Sequence, residues 1–350
     1  MEEDMKSGCF TALVTPFTSD GGRVDHEGLQ KLIAFQIEND ITGILAVGTT
    51  GESPTLAWDE HHAVVDLAVR MAKGKCVCIA GTGSNNTSEA MAATEHAARQ
   101  GADAVLLVDP YYNGPSSLEI RREYVAPIAA AYPDLDIIPY VIPGRTGAKL
   151  LPEDLALLHQ AHPNVCAVKE ATGDLDNMRR TRECCGPEFT IMSGDDGLVY
   201  DMMTDAAIAA AGVISVASNI VPKAMTELVG LLAAGDRERA DALKSALAPL
   251  FSLVTVTTRE QTPLGEVPCR ARNPMAMKTF MALLGMPVGP CRRPLGKMTR
   301  KGLDYVVSVG RQVHSRNPEI LQPLAQFFGV DIDERLNNPV YREGLVYEEY

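Results

Sequence analysis

Short apolar runs recur through the first two-thirds of the chain and alternate with amphipathic segments. Eight runs are nearly continuous in apolar character, a pattern typical of strands that are covered on both faces. In the segments between them, apolar residues return every three or four positions, which predicts helices. The predicted strands are Cys9–Val14, Ile41–Val47, Cys76–Ala80, Ala104–Val108, Asp136–Val141, Val165–Val168, Phe189–Met192 and Gly212–Val216. The predicted helices are His26–Glu38, Asp59–Met71, Thr87–Gln100, Leu118–Ala131, Pro152–His159, Leu175–Cys184 and Asp196–Ala206.

The alternation of eight strands with helices predicts an α/β fold with a parallel sheet. The count of eight, complete by about residue 230, favours a closed (β/α)8 TIM barrel over a doubly wound open sheet. An open dinucleotide-binding sheet would carry GxGxxG after its first strand. Here Gly81–Asn86 follows the third run and lacks the last glycine, and no Walker A loop occurs.

The rest of the chain predicts helices and a terminal extension. We expect a barrel over residues 1–230, a C-terminal helical region over 231–316 and an extension over 317–350. The polar, proline-bearing segment Thr257–Asn273 is predicted to be a loop. Ile320–Phe328 is a short helix candidate in the extension, which we expect to pack against another subunit. The further predicted helices are Lys223–Ala234, Arg237–Phe251, Pro274–Leu284 and Lys301–His314.

Composition narrows the class of function. Of 350 residues, 46% are hydrophobic and 22% are charged, a globular balance that excludes disordered, collagen-like and coiled-coil proteins. The formal net charge of −13 repels phosphate backbones, so no nucleic-acid partner is expected. Residues 1–6 lack the apolar core of a secretory signal, and the uncharged stretch Ala206–Pro222 suits a buried strand and loop better than a membrane span. The expected location is therefore cytoplasmic, with no membrane partner. The eight cysteines form no CxxC pair, so neither a zinc site nor disulfides are predicted.

Lys169 is the most informative residue at a strand end, where catalytic residues of such barrels lie. It follows the apolar run Val165–Val168, so its stem leaves a buried strand at the barrel mouth. Partial desolvation lowers a lysine pKa, and a neutral amine attacks a ketone to form a Schiff base. The alternative is a lysine that pairs with Glu170 or extends into water. Tyr140 on the preceding strand favours catalysis because a phenol shuttles protons during imine formation, although a core tyrosine is the simpler explanation of that residue alone.

Other polar residues at strand ends suit carboxylate binding. Thr49 and Thr50 lie between glycines and offer hydroxyl and backbone N–H groups, although an ordinary turn explains the pair by itself. Arg145, in a loop flanked by proline and glycine, either binds a carboxylate in bidentate fashion or is solvated. Of the carboxylate pair Asp195 and Asp196, a helix N-cap explains one. No histidine ends a predicted strand, so no metal ligand set is predicted.

Eight motifs follow one another in order between about Gly8 and Met298. They are Thr11–Phe17, Val47–Ser53, Ile79–Gly83, Pro110–Asn113, Arg145–Gly147, Val168–Gly173, Ser193–Asp196 and Gly212–Val216. In this order they resemble the dihydrodipicolinate synthase family of pyruvate-dependent class I aldolases, in the superfamily that includes N-acetylneuraminate lyase. So many collinear motifs make the resemblance to the superfamily highly specific.

The resemblance implies a Schiff-base lyase that condenses pyruvate with L-aspartate-4-semialdehyde to 4-hydroxy-tetrahydrodipicolinate in the diaminopimelate route to lysine. It implies that Lys169 forms an imine with pyruvate and that no cofactor is needed. Tyr140, Thr49 and Tyr112 would form a proton relay, with Tyr112 reaching the site of a neighbouring subunit in a homotetramer or homodimer. The implied substrate-binding residues are Thr50, which with Thr49 holds the pyruvate carboxylate, Arg145, which binds the aldehyde's carboxylate, and Gly194 and Ile214.

Two departures from the family pattern leave an alternative open. Val141 follows Tyr140 where the family commonly has asparagine, and Gly144 precedes Arg145 where serine is frequent. The alternative is a pyruvate-dependent aldolase that acts on a sugar acid or another aldehyde. A third hypothesis, a non-enzymatic ligand-binding or partner-binding descendant, gives no reason for an imine-forming lysine beside a proton relay.

The resemblance also implies a regulatory cleft. In lysine-inhibited relatives, residues at matching positions contact lysine at a subunit interface. The alternative is that these residues simply build the interface. The positions in this chain are Ser53, Trp58, His61, Asn85, Glu89 and Tyr111.

Overall fold

Eight parallel strands close into a barrel in the computed structural model, which describes residues 7–349. Closure is complete because β1 pairs in parallel with both β2 and β8. The predicted (β/α)8 barrel is therefore confirmed. The strands are β1 Gly8–Ala12, β2 Gly43–Ala46, β3 Val77–Gly81, β4 Ala104–Val108, β5 Asp136–Val141, β6 Ala167–Glu170, β7 Thr190–Ser193 and β8 Gly212–Ser215.

Helices connect these strands and continue beyond the barrel. The predicted helix at Asp196–Ala206 is shorter than expected, and a π-helical turn, Ile120–Val125, interrupts the predicted helix Leu118–Ala131. This wide turn precedes Pro127, which lacks an N–H to donate to a regular α-helix. The helices of the barrel are α1 His26–Glu38, α2 Trp58–Ala72, α3 Thr87–Gln100, α4 Ser117–Glu119, α5 Ala126–Ala131, α6 Pro143–Thr146, α7 Pro152–Ala161, α8 Leu175–Cys185 and α9 Val199–Thr204. Those that follow are α10 Pro222–Ala234, α11 Arg237–Phe251, α12 Met275–Leu283, α13 Arg300–Arg316, α14 Gln322–Phe328 and α15 Ile332–Asn337.

Two apolar layers hold the barrel together. Alternate residues of the strands fill its interior, and the residues between them pack outward against the helices. Helix α1 illustrates the outer layer. The Asp25 carboxylate accepts from the N–H of Gly28 at 2.9 Å and caps the helix, which then buries Leu29, Leu32 and Ile33. The interior layer includes Phe10, Leu45, Ile79, Leu106, Ile138, Tyr140, Met192 and Ile214.

The segment predicted to be a loop, Thr257–Asn273, is instead largely a β-hairpin. Strands β9 Thr255–Thr262 and β10 Gly265–Arg272 pair antiparallel through a tight turn. The prediction was wrong because Pro268 and the polar composition suggested a break. A two-stranded ribbon has only edge strands, which tolerate proline, and its side chains alternate between a half-buried and an exposed face.

The C-terminal extension folds back onto its own chain. The rings of Phe327 and Phe328 each lie 5.2 Å from the ring of Phe35 on α1, measured between centroids. Leu324 and Leu336 are buried, so the extension adds to the main core. Contact of the extension with another subunit stays a prediction.

A buried ion pair joins the C-terminal region to the loop after β2. The Nζ of Lys278 on α12 lies 2.7 Å from Oε1 of Glu52, and both side chains are almost fully buried. Lys278 also donates to the carbonyls of Thr15 and Pro290, which satisfies the remaining hydrogens of its ammonium group. The loop that carries Thr49 and Thr50 is therefore anchored by a helix more than 200 residues away in sequence.

The division into barrel, helical region and extension stays a prediction, and α10 spans position 230. Across residues 7–349, no helix combines the length and the apolar character that a bilayer crossing requires.

Candidate active site

Tyr140 and Lys169 lie side by side at the carboxyl end of the barrel. The two residues are register partners on β5 and β6. Because side chains alternate along a strand, Ala167 and Lys169 face the barrel interior while Val168 and Glu170 face outward. The Nζ of Lys169 is 4.3 Å from the centroid of the Tyr140 ring, and each residue is only 4% exposed.

Burial of Lys169 weakens its basicity. The pKa of Lys169 is lowered to about 7, chiefly by desolvation; the negative charge of Asp196 opposes this shift, and the positive charge of Arg145 adds to it. Glu170, the predicted alternative partner, instead accepts from the N–H of Thr172 at 2.7 Å and from Nδ2 of Asn177 at 2.9 Å. A large fraction of Lys169 is therefore a neutral amine, able to act as a nucleophile, near pH 7.

The N-cap explanation for the carboxylate pair at the mouth is wrong. Oδ2 of Asp196 accepts from the backbone N–H groups of Val216 and Ala217, each at 2.9 Å, and the side chain is buried. Asp195 accepts from the N–H of Gly197, but α9 begins only at Val199, without a side-chain cap. The sequence did not reveal this because the partners of Asp196 lie just after β8, about 20 residues away. Asp196 thus fixes the end of β8 and contributes negative charge near Lys169.

The phenol of Tyr140 stays protonated at neutral pH. Burial raises the pKa of Tyr140 to about 12, although the positive charge of Arg145 and a hydrogen bond with the side chain of Thr49 lower it. Tyr140 is therefore a proton donor linked to a threonine hydroxyl, and it lies against the only amine that the barrel interior presents in residues 7–349.

Asn273 connects Thr50 with Arg145, a role that the sequence did not reveal. Nδ2 of Asn273 donates to Oγ1 of Thr50 at 2.9 Å, and the carbonyl of Asn273 accepts from an η nitrogen of Arg145 at 2.9 Å. Because the hydroxyl oxygen of Thr50 accepts this bond, its hydrogen stays available for an anionic ligand. The only local signal was the Asn273-Pro274 dipeptide before a helix, which by itself indicates a turn.

Gly194 and Ile214 shape the space around Lys169. A Cβ at Gly194 would lie 2.7 Å from Cβ of Ala171 and 3.3 Å from Cε of Lys169. Ile214 is fully buried in the barrel interior. Any residue larger than glycine at position 194 would therefore crowd the stem of Lys169.

A cavity of about 220 Å³ opens beside these residues. Its wall includes Thr49, Tyr140 and Arg145, whereas Lys169 lies next to Tyr140 and is not part of the wall. The volume suits a small organic acid. The arrangement brings together the predicted lysine, phenol, threonine pair and arginine.

Tyr112 does not join this group within the chain. Its side chain is 94% exposed and its φ is 86°, a left-handed conformation that is uncommon for a residue with a bulky side chain. The ring therefore makes little contact with its own chain, and its role in the site of a neighbouring subunit stays a prediction.

The residues of the predicted regulatory cleft lie around the carboxyl end of β3. His61 is buried, and its Nε2 lies 2.9 Å from the carbonyl of Gly81; burial lowers the pKa of His61 to about 4. Trp58 is 40% exposed, and the centroid of its ring lies 5.1 Å from that of the His61 ring at an interplanar angle of 59°. Oδ1 of Asn85 accepts from the N–H of Tyr111 at 2.7 Å.

The two remaining members of the predicted cleft are Ser53 and Glu89. Ser53 shares the wall of the 220 Å³ cavity with Tyr111. Glu89 accepts from the hydroxyl of Ser84 at 2.5 Å. Three of the six side chains, those of His61, Asn85 and Glu89, already form hydrogen bonds within the chain.

Known proteins resemble this chain over most of its length. The model of the dihydrodipicolinate synthetase family matches residues 5–312. The 4-hydroxy-tetrahydrodipicolinate synthase of Pelobacter propionicus is 40% identical over 294 residues, which cover 84% of this chain and 94% of that protein. The structure of 4-hydroxy-tetrahydrodipicolinate synthase from the thermoacidophilic methanotroph Methylacidiphilum fumariolicum SolV matches with a TM-score of 0.80 at 35% identity, over 93% of this chain and 100% of that one. Dihydrodipicolinate synthase from Cyanidioschyzon merolae, solved with lysine bound, matches with a TM-score of 0.78 at 35% identity, over 88% and 97% of the two chains.

Proposed function

Because the chain belongs to the dihydrodipicolinate synthetase family, we propose that it is a lyase that condenses pyruvate with L-aspartate-4-semialdehyde to 4-hydroxy-tetrahydrodipicolinate, a step towards diaminopimelate and lysine. The observation that carries the chemistry is the buried amine of Lys169, whose pKa is lowered to about 7, beside the phenol of Tyr140. A binding protein would have no need to keep a lysine neutral beside a proton donor.

The first half-reaction forms the nucleophile. The neutral Nζ of Lys169 attacks the keto carbon of pyruvate; the oxygen receives one proton from the attacking amine and a second from Tyr140, and leaves as water. The resulting protonated imine withdraws electrons, so the methyl group loses a proton and becomes an enamine carbon. The hydrogen bond between Tyr140 and Thr49 provides the start of a relay for these protons.

The second half-reaction forms the carbon–carbon bond and releases the lysine. The enamine carbon attacks the aldehyde carbon of the acceptor, whose oxygen takes up a proton from the relay. The acceptor's amino group then adds to the imine carbon, closes the ring and expels Lys169 as a free amine. Tyr112 of a neighbouring subunit would complete the relay. Such a role would explain why the side chain of Tyr112 is exposed and its backbone is strained.

Two anchors hold the substrates. The pyruvate carboxylate accepts from Thr49 and Thr50, and the interaction of Thr50 with Asn273 directs its hydroxyl hydrogen to that carboxylate. The guanidinium group of Arg145 binds the carboxylate of the aldehyde. Gly194 and Ile214 border the reacting atoms, and the scheme requires no metal and no organic cofactor because the protonated imine accepts the electrons.

The alternative of an aldolase for a sugar acid or another aldehyde is less favoured, because the curated relatives at about 40% identity are named as synthases. Steady-state assays with L-aspartate-4-semialdehyde, glyoxylate, succinate semialdehyde and sugar aldehydes test the choice directly. A higher kcat/KM for a sugar aldehyde than for L-aspartate-4-semialdehyde would reject the proposed substrate. Assembly into a homotetramer or homodimer and a cytoplasmic location stay predictions.

Arg145→Ala is expected to raise the KM for the aldehyde about 10- to 100-fold, because a charge-assisted pair with a carboxylate is lost. Trapping of pyruvate by borohydride at about pH 8 should persist, since that carboxylate rests on the threonine pair. Initial rates and mass spectrometry of the trapped adduct measure the two effects. Arg180→Ala, on the surface of α8, is the matched control, and equal loss of both activities in Arg145→Ala would contradict the assignment.

The rate of imine formation is expected to increase with pH and to level off above about 7. Because burial lowers the pKa of Lys169 to about 7, the amine is protonated and inert below that pH and neutral above it. The rate should therefore fall about tenfold for each pH unit below 7. Borohydride quenching at short times across about pH 5 to 9 measures the profile. A rate that still climbs steeply above pH 9 would indicate an ordinary lysine.

Free lysine is expected to bind at the cleft around Trp58, His61 and Glu89, since the matched relative from Cyanidioschyzon merolae was solved with lysine bound. An indole face and a carboxylate suit the side-chain ammonium group of such a ligand. Isothermal titration with lysine measures binding, and Glu89→Gln should weaken it. The absence of any binding heat at several temperatures would reject this site.

A further inference from the structure

The β9–β10 hairpin delivers two arginines to the neighbourhood of the substrate-binding loop. Arg270 and Arg272 lie on the same face of β10, and Arg272 directly precedes Asn273, whose carbonyl binds Arg145. Both η nitrogens of Arg272 donate to the carbonyl of Gly144, the residue before Arg145, at 3.2 Å. The hairpin is thus fixed to the loop that carries Arg145 at two adjacent points.

These arginines carry positive charge that the protein does not neutralise. Within residues 7–349, neither Arg145, Arg270 nor Arg272 forms an ion pair with a carboxylate, although the chain has a net charge of −13. Other arginines of the hairpin and its surroundings do find such partners, as Arg259 does with Glu266. The mutual repulsion of these positive charges is relieved when an anion binds beside them, so the cluster favours an anionic ligand.

Arg272 also retains an unused donor. Its Nε is buried and has no hydrogen-bond partner among the described residues, and the bonds to Gly144 occupy only part of its five N–H groups. An unsatisfied buried N–H is costly unless a ligand or water pairs with it. Arg272 also lies close enough to influence both Tyr140 and Arg145 electrostatically: burial raises the pKa of Tyr140 and lowers that of Arg145, and the charge of Arg272 makes a smaller, lowering contribution to each.

We propose that Arg272 is a second guanidinium group for the carboxylate of the aldehyde acceptor, so that the hairpin and the Arg145 loop hold this carboxylate between them. Arg270, which is exposed and farther along the same face, strengthens the attraction without direct contact. The inference rests on the proposed function and adds a specificity determinant to it: acceptors with a carboxylate at this distance are selected over neutral aldehydes.

Arg272→Gln tests the proposal because glutamine still offers a hydrogen-bond donor to the carbonyl of Gly144 but has no charge. We expect a KM for L-aspartate-4-semialdehyde about tenfold higher, with kcat, the KM for pyruvate and borohydride trapping close to wild type. Arg272→Lys should recover most of the loss. Arg270→Gln should raise the KM about twofold at low salt and have no effect near 1 M salt, where charges are screened within about 3 Å. Arg259→Gln, on the same face but paired with Glu266, is the control.

Two results would overturn the proposal. An unchanged KM in Arg272→Gln would mean that the residue only supports the loop. A fall in kcat and in pyruvate trapping, together with the higher KM, would mean that the substitution disturbs the whole site. If the wild-type protein traps pyruvate but does not turn over L-aspartate-4-semialdehyde, the proposed function is rejected and the proposal for Arg272 is not. The same variants are then compared with the carboxylate-bearing aldehyde that the wild-type protein does turn over.

Discussion

Lys169→Ala is expected to abolish the borohydride-trapped adduct with pyruvate and to reduce kcat at least about 10⁴-fold, on the scale of removing a catalytic nucleophile. The amine is the only atom in the scheme that bonds covalently to the substrate, and it lies in a desolvated position beside the Tyr140 ring. A neighbouring lysine cannot replace it, because Lys278 is held by Glu52 on the other side of the loop after β2. Mass spectrometry of peptides after reduction with labelled pyruvate locates the adduct.

Controls for this variant separate chemistry from folding. Lys169→Met keeps most of the volume of the side chain, so it should unfold at a temperature close to that of the wild type and still form no adduct. Lys244→Ala, on the surface of α11, should leave trapping unchanged. An adduct of equal yield in Lys169→Ala would place the imine on another residue and remove the basis of the proposed function.

Tyr140→Phe is expected to reduce kcat about 10²- to 10⁴-fold, the range typical of general acid–base catalysis. The substitution removes one oxygen and leaves the ring against Lys169, so the amine should stay buried. Imine formation should slow in proportion, because both dehydration and enamine formation need a proton donor that Tyr140 provides at neutral pH. Stopped-flow or quenched trapping kinetics with pyruvate measure this step separately from turnover.

Tyr132→Phe is the matched control for this substitution. Tyr132 is half-buried at the end of α5, and the loss of its hydroxyl should change neither trapping nor turnover. If Tyr140→Phe traps pyruvate at the wild-type rate and loses only turnover, the phenol acts in the second half-reaction alone. If both rates are unchanged, the role assigned to Tyr140 is wrong.

The sequence predicted the barrel and much of the site because both depend on local patterns. The nearly continuous apolar runs predict buried strands, and the ends of those strands identify where chemistry lies; Tyr140 and Lys169 face the interior because side chains alternate along a strand. The arrangement of polar partners could not be predicted in the same way. Asp196 binds backbone groups beyond β8, and Asn273 bridges Thr50 and Arg145 from the C-terminal region. Such contacts depend on tertiary geometry, for which one sequence contains no periodic signal.

The hairpin was missed for a different reason. The apolar–polar alternation along its strands is weak, because the inward face carries Thr258 and Cys269 beside Val256 and Ala271. Pro268 further suggested a turn. The hairpin packs by one end against α12 and α13 and therefore needs little apolar surface. The composition of this segment consequently resembles that of a loop.

The link between Lys278 and Glu52 has a consequence for how such enzymes diverge and how they are recombined. A barrel taken without the segment that supplies Lys278 would bury a lone carboxylate in the loop that carries Thr49 and Thr50, a situation that typically costs about 3–5 kcal/mol. Grafting a foreign C-terminal half onto these strands therefore succeeds only if the donor brings a matching cation to that depth. The barrel and the region that follows it therefore depend on each other for stability, although the eight barrel strands end at Ser215.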